Sequence, residues 1–290
     1  MRSCTESLHS QPEAESLQLR LHGDASLPTL IYLPGLHGDW TLVSSFRAAV
    51  AGRVRFVEFT YPRTTTWSLD DYADATRVAL LERGVTRGWL LGESFGSQIV
   101  WPLLARSGRE FQAEGVILAG GFVRYPVEAM VRFAQFMSTR WPRWFFRSAL
   151  FVYGRYARLR HRRAPETLAS IGEFTTRRLE PLDRLAIRHR LGLIAENDPR
   201  PIARQTRLPV FALVGLVDPI VPAIPVRRWL QKNCPGYRTS RLIWRADHNV
   251  LGTAPNAAAE QLLQWIKRAH ETKAAALGEG ACSLIGRPAS

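Results

Sequence analysis

Residues 88–106 read GWLLGESFGSQIVWPLLAR. An apolar run, GWLL, leads into Gly92-Glu93-Ser94-Phe95-Gly96, and a largely apolar stretch of helical length follows. A serine with glycine two residues before and two after it, set between a strand and a helix, is the pattern of a sharp strand–turn–helix. Side chains at 92 and 96 would collide in such a turn, which also strains the backbone of the serine. The turn lifts the serine hydroxyl above the edge of a sheet. The start of the following helix faces any negative charge that develops there. The same letters fit an ordinary strand–loop–helix with two glycines, and the flanking runs favour the sharper reading.

Strand and helix signals alternate on both sides of this stretch. Upstream, TLIYLPG (29–35) reads as a buried strand ending in a Pro-Gly turn. VRFVEFTYP (54–62) reads as a second strand, stopped by Pro62. LDDYADATRVALLER (69–83) has helical apolar spacing and acidic residues in its first turn. Downstream, GVILAGG (115–121), LPVFALVGLVD (208–218) and SRLIWRADH (240–248) read as strands. PVRRWLQKN (225–233) and PNAAAEQLLQWIKRAHE (255–271) read as helices. The rhythm predicts an α/β fold with a mostly parallel central sheet flanked by helices.

The rhythm breaks between 124 and 205. That segment is helical in pattern and holds 17 arginines against seven acidic residues, ten of the chain's fourteen net positive charges. Phe133, Phe136, Trp141, Trp144, Phe145, Phe146, Phe151, Tyr153 and Tyr156 are interleaved with the charge. It reads as a helical lid inserted between two strands. The domain plan is therefore a core of 16–123 and 206–272, a lid of 124–205, a polar disordered start (1–15) and a loose Ala- and Gly-rich tail (273–290).

A serine hydroxyl is a poor nucleophile without a base, and the base needs a carboxylate to orient it. Asp218 follows the apolar run VFALVG, with Pro219 and Pro222 marking a turn. His248 follows the next apolar run, RLIW. Both belong at carboxyl ends of strands, the sheet edge where Ser94 also lies and where open α/β sheets place their sites. Taken singly, Asp218 would serve as a helix cap and His248 as a surface histidine. The order serine, acid, histidine joins them. His37, His161, His189 and His270 do not follow a late strand. Asp247 adjoins His248, and sequence neighbours point apart. An oxyanion hole needs two backbone N–H groups aimed at one point. Phe95, next after the serine, offers one, and Leu36 in the turn Leu33-Pro34-Gly35-Leu36-His37-Gly38 the other, with His37 as the second choice there.

LPGLHGD, GESFGS, GLVDPIVP and the late ADH together resemble the landmark positions of α/β-hydrolase-fold serine hydrolases. The resemblance is strongest to lidded members such as small carboxylesterases and acyl-thioester or C–C hydrolases. The resemblance covers about 16–270, the lid excepted. It implies an α/β-hydrolase fold and cleavage of a carboxylic ester or thioester through Ser94, His248 and Asp218 by way of an acyl-enzyme. Leu36 and Phe95 would hold the oxyanion. No metal or organic cofactor is implied. Two positions depart from the pattern: Ser97 stands where glycine is frequent, and Ala246-Asp247 replaces the usual glycine before the histidine.

The composition is globular, with 46% hydrophobic and 22% charged residues. Three widely spaced cysteines suggest neither a disulfide framework nor a zinc site. The start has no apolar signal core and no run approaches the ~18–20 apolar residues of a membrane span, so a cytoplasmic location is expected. The net charge of +14 raises an anionic partner without choosing it. A small acyl substrate with an anionic group, a membrane surface or an acidic carrier protein would each suit the arginine-rich lid. No nucleic-acid motif appears, and that partner is not expected. Equally, RLRHRR (158–163) reads as a solvated face. An acyltransferase or cofactor-free haloperoxidase on the same scaffold and a non-catalytic binding protein are the competing functions.

Overall fold

The computed structural model describes residues 16–140 and 181–285. Between them it describes Ser148, Phe151, Val152, Gly154, Arg155, Tyr156, Arg158, Leu159, Arg162, Glu166, Leu168 and Ala169. The start expected to be disordered (1–15) lies outside the described residues, as do Trp141, Trp144, Phe145, Phe146, Tyr153 and half of the RLRHRR run.

Seven strands form one sheet: β1 (Gln18–His22), β2 (Thr29–Leu33), β3 (Arg55–Thr60), β4 (Arg87–Glu93), β5 (Gln112–Ala119), β6 (Val210–Gly215) and β7 (Tyr237–Ile243). Their order is β1-β3-β2-β4-β5-β6-β7. β1 runs antiparallel to β3, and every other pairing is parallel. Central strands are covered on both faces, which is why β2 is apolar at nearly every position and buried throughout. Alternation still sorts its side chains. Ile31 and Leu33 join Val57, Phe59 and Leu90 in one core, with α2 (Leu69–Glu82) and α3 (Gly96–Ala105). Leu30 and Tyr32 join Phe56, Trp89 and Leu91 in the other, with α1 (Ser44–Val50) and α9 (Pro255–Ile285). The acidic start of α2 is a capping box: Asp71 N–H donates to Ser68 Oγ at 3.1 Å, and Ser68 N–H to the Asp71 carboxylate at 2.7 Å.

Strand ends differ from their sequence reading where turns take over. β6 stops at Gly215, because Leu216 N–H donates to Ile243 O and Asp218 N–H back to Gly215 O. β7 begins at Tyr237 and ends at Ile243 rather than spanning 240–248. β1 has no counterpart in the sequence reading: it is a five-residue edge strand whose alternate side chains are exposed. The stretch from 273, read as a loose tail, continues α9 to Ile285. Residues 271–275 are exposed, yet this alanine-rich stretch contains no proline to stop a helix.

Between β5 and β6 the insert carries α4 (Glu128–Arg140), α5 (Pro181–Glu196) and α6 (Arg200–Gln205), with α4 packed on α5. α5 and the residue after it are tied to the core: His189 Nε2 lies 2.7 Å from Trp67 O, and Asn197 Nδ2 donates to Gln98 Oε1 at 3.0 Å. After α6 come α7 (Ala223–Asn233) and the short α8 (Val250–Thr253), which precedes α9. Among the described residues no helix is long and apolar enough to cross a membrane.

Candidate active site

Ser94 follows β4 with φ +50°, in the left-handed region that costs a non-glycine residue energy. Its N–H donates to Ala119 O at 3.1 Å, anchoring the turn to β5. The two glycines of the motif are demanded by contact. A Cβ on Gly92 would lie 2.7 Å from Val100 and 2.8 Å from Ser97 Cα, and one on Gly96 would lie 2.0 Å from Leu33 O. Ser97, where glycine is frequent, is wholly buried and uses its hydroxyl. Oγ lies 2.6 Å from Ser94 O and 3.0 Å from Phe122 O, and accepts from Phe122 N–H at 3.1 Å. The departure thus ties the turn to the exit of β5.

Asp218 lies in the turn after β6, its side chain only 2% exposed. Oδ1 accepts from the N–H groups of Ile220 (2.8 Å) and Val221 (3.0 Å), leaving Oδ2 for His248 Nδ1 at 2.9 Å. Burial works to raise the Asp218 carboxyl. The hydrogen bond and charge of His248, with the two N–H groups, outweigh it and hold the carboxyl below the usual aspartate range. With Nδ1–H donated to Asp218, His248 Nε2 carries the lone pair, and it lies 2.8 Å from Ser94 Oγ. Ser94, His248 and Asp218 therefore form one continuous hydrogen-bonded chain across the carboxyl ends of β4, β6 and β7. Asp247, the neighbour of His248, spends its carboxylate on the turn that follows. It is buried, accepts from Asn249 N–H at 3.0 Å, and lies 3.2 Å from Thr253 Oγ1.

The Gly35–Gly38 turn abuts the serine. A Cβ on Gly35 would lie 3.4 Å from Ser94 Cβ, and the turn is closed by Gly38 N–H donating to Gly35 O at 2.8 Å. Leu36 and His37 line the cavity beside Ser94, and the buried Phe95 heads α3 with its ring against Tyr61 and Tyr72.

The cavity measures about 250 Å³ and is walled by Ser94, His248, Leu36, Tyr32, Ile220 and Tyr156, among others. Tyr156 comes from the insert, and its hydroxyl donates to Asp247 at 3.3 Å. The described wall includes Asp39, Glu93 and Asp247 but no lysine or arginine. Glu93 is buried beside the serine. Tyr32 donates to its Oε2, while Oε1 has no partner. Burial pushes the Glu93 carboxyl above its ordinary value, against the opposing pull of Tyr32 and of nearby His248. Sequence reading passed over Glu93 as a spacer within the motif. It also passed over Arg190, one arginine among many in the insert, which is 1% exposed and reaches the Leu36 turn. Nothing local to either residue signals its burial. Among the described residues no three His, Cys, Asp or Glu side chains gather as a metal site would need.

The model of the alpha/beta hydrolase family matches residues 30–262. A search of curated protein sequences returns no match. Among solved structures, a hydrolase from Pseudomonas aeruginosa PA01 superposes with a TM-score of 0.68 at 16% identity, covering 86% of this chain and 94% of that one. The enol-lactonase from Burkholderia xenovorans LB400 gives 0.68 at 17% identity, covering 87% and 96%. An esterase from Rhodococcus sp. ECU1013 gives 0.64 at 17% identity, covering 87% and 94%. Identities this low establish a shared fold, whereas the family match spans most of the chain. The chain belongs to the alpha/beta hydrolase family.

Proposed function

We propose that this protein is a serine hydrolase that cleaves a carboxylic ester or thioester. The observation that carries the reading is the chain from Asp218 through His248 to Ser94, at 2.9 and 2.8 Å. Ser94 Oγ attacks the substrate carbonyl carbon as its proton passes to His248 Nε2. The N–H groups of Phe95 and Leu36 stabilise the oxyanion, and Asp218 stabilises the imidazolium. The imidazolium then gives its proton to the leaving alcohol or thiol, and the acyl-enzyme forms. A water loses a proton to Nε2 and attacks the acyl carbon. Ser94 Oγ departs with that proton and the acid is released. These steps require no cofactor.

The named activities of two structural neighbours, an esterase and an enol-lactonase, both concern ester bonds and support this substrate class. Among the described residues of the wall no lysine or arginine lies ready to meet an anionic substituent, and esters with and without a distal anionic group, compared by kcat/KM, decide whether the acyl substrate is anionic. Docking of an acidic carrier protein or an anionic membrane surface would fall to the arginines of the 124–205 insert, several of which lie outside the described residues. The test is labelling by a fluorophosphonate, comparing wild type with Ser94→Ala and His248→Ala. Strong labelling lost in both variants supports the reading. A folded wild type that neither labels nor hydrolyses p-nitrophenyl acetate overturns it. Product analysis with competing alcohols separates hydrolysis from acyl transfer.

A further inference from the structure

Arg190 of α5 carries its guanidinium into the core, where it is 1% exposed. Among the described residues its partners are backbone carbonyls and a tyrosine hydroxyl, with no carboxylate. Nη1 donates to Leu36 O at 2.9 Å, Nη2 to Pro62 O at 2.9 Å, and Nε lies 3.4 Å from the Tyr72 hydroxyl. The guanidinium also sits over the Tyr61 ring, 5.6 Å from its centre. The turn has been cut away to admit it: a Cβ on Gly38, whose φ is +69°, would lie 2.6 Å from Nη1. Tyr61 N–H in turn donates to Gly38 O at 2.9 Å. Burying a guanidinium without a carboxylate is costly, and an apolar side chain of similar volume would fill the space at less expense. What such a side chain could not supply is a forked donor that grips two backbone carbonyls at once.

We propose that Arg190 is a positioning residue for the oxyanion hole, through which the inserted segment sets the orientation of the Leu36 turn. The inference rests on the assignment of Leu36 as an oxyanion donor made above. The carbonyl of Leu36 belongs to the peptide that follows the one bearing the Leu36 N–H. Clamping that carbonyl restrains the torsions that aim the N–H at the reacting carbonyl. A donor aimed in advance stabilises the transition state without reorganising, so its loss falls on kcat. The 36–38 turn, Pro62 and α5 thus meet at one cation. A displacement of α5 reaches the oxyanion hole directly.

The test measures p-nitrophenyl acetate hydrolysis and melting temperature for wild type, Arg190→Lys, Arg190→Gln and Arg190→Ala. Lysine keeps the charge but lacks the fork. The expected result is a fall in kcat of tenfold or more in each folded variant, with KM within about threefold of wild type. Added guanidinium, at concentrations that leave the variant folded, should raise kcat of Arg190→Ala where equal sodium chloride does not. Folded Arg190→Lys with wild-type kcat overturns the inference, as does a fall in kcat no larger than the folded fraction explains. Should Arg190→Ala fail to fold, the lysine and glutamine variants decide. An inactive wild type would overturn the serine-hydrolase reading itself. An active wild type with an equally active lysine variant removes only the role of Arg190.

Discussion

A methyl group on Gly96 would stand 2.0 Å from the carbonyl oxygen of Leu33, so the turn that presents Ser94 is closed against the end of β2 by backbone alone. Neither partner is the far end of a side chain that could swing aside. Gly96→Ala must therefore push β2 and α3 apart, at more than about 3 kcal/mol, the upper range for overpacking. Gly108→Ala is the matched control, because a Cβ there meets nothing within 4 Å. Urea unfolding should show a large loss for the first and a change within about 0.5 kcal/mol for the second. Equal stabilities would mean the turn is looser than these contacts require.

That closeness explains why so much of the site was legible in the chain. Gly92, Ser94 and Gly96 are dictated locally by one turn, and the runs before Asp218 and His248 mark strand ends on the same edge. Chain order then brings three distant residues together without knowledge of any contact. What stayed hidden depends on tertiary packing. Arg190 has the same local surroundings as its solvent-facing neighbours, and only the docking of α5 distinguishes it. Glu93 lies inside the motif, yet its pairing with Tyr32 follows from β2 lying beside β4. β1 was missed because QLRLH at a sheet edge buries too little for its alternation to stand out.

Asp218→Asn should leave the turn intact while disabling the base. The asparagine oxygen can still accept from Ile220 and Val221, but its amide then faces Nδ1 as a donor. The histidine responds with the tautomer that protonates Nε2, which cannot take the Ser94 proton. The expected loss is on the order of 10⁴ in kcat, as for the same change in other serine enzymes. The wild-type carboxyl is held low in the fold. Its contribution to stability is present above the ordinary aspartate pKa and is lost as pH falls through the lowered folded value. Melting curves from pH 6 to pH 2 should show wild type losing stability relative to Asp218→Asn. A difference independent of pH would deny the lowered pKa.

Ser97→Ala should cost stability through one orphaned donor. Phe122 O also accepts from Gln98 Nε2 at 3.1 Å and keeps that partner. Phe122 N–H is the group whose acceptor disappears, in a buried place. An unsatisfied buried donor costs about 1–3 kcal/mol. Ser97→Gly should lose at least as much in this chain. Calorimetry on both variants tests this, and an unchanged melting temperature would show that the hydroxyl is not bonded as described.

Glu93 should make the fold less stable as pH rises. Its carboxyl is raised above the ordinary value, so the folded protein holds the proton more tightly than the unfolded chain. The penalty is absent below the unfolded glutamate pKa of about 4.3. It grows as pH rises toward the raised folded pKa and is complete above it. Glu93→Gln keeps the size of the side chain and an oxygen to accept from Tyr32, but cannot ionise. The variant should therefore gain melting temperature over wild type as pH rises from 4 toward 8, with the smallest gain at pH 4 and a level gain once pH passes the raised folded pKa. Parallel curves across that range would show that Glu93 ionises in the fold as easily as in water, and burial beside Ser94 would then carry no electrostatic cost.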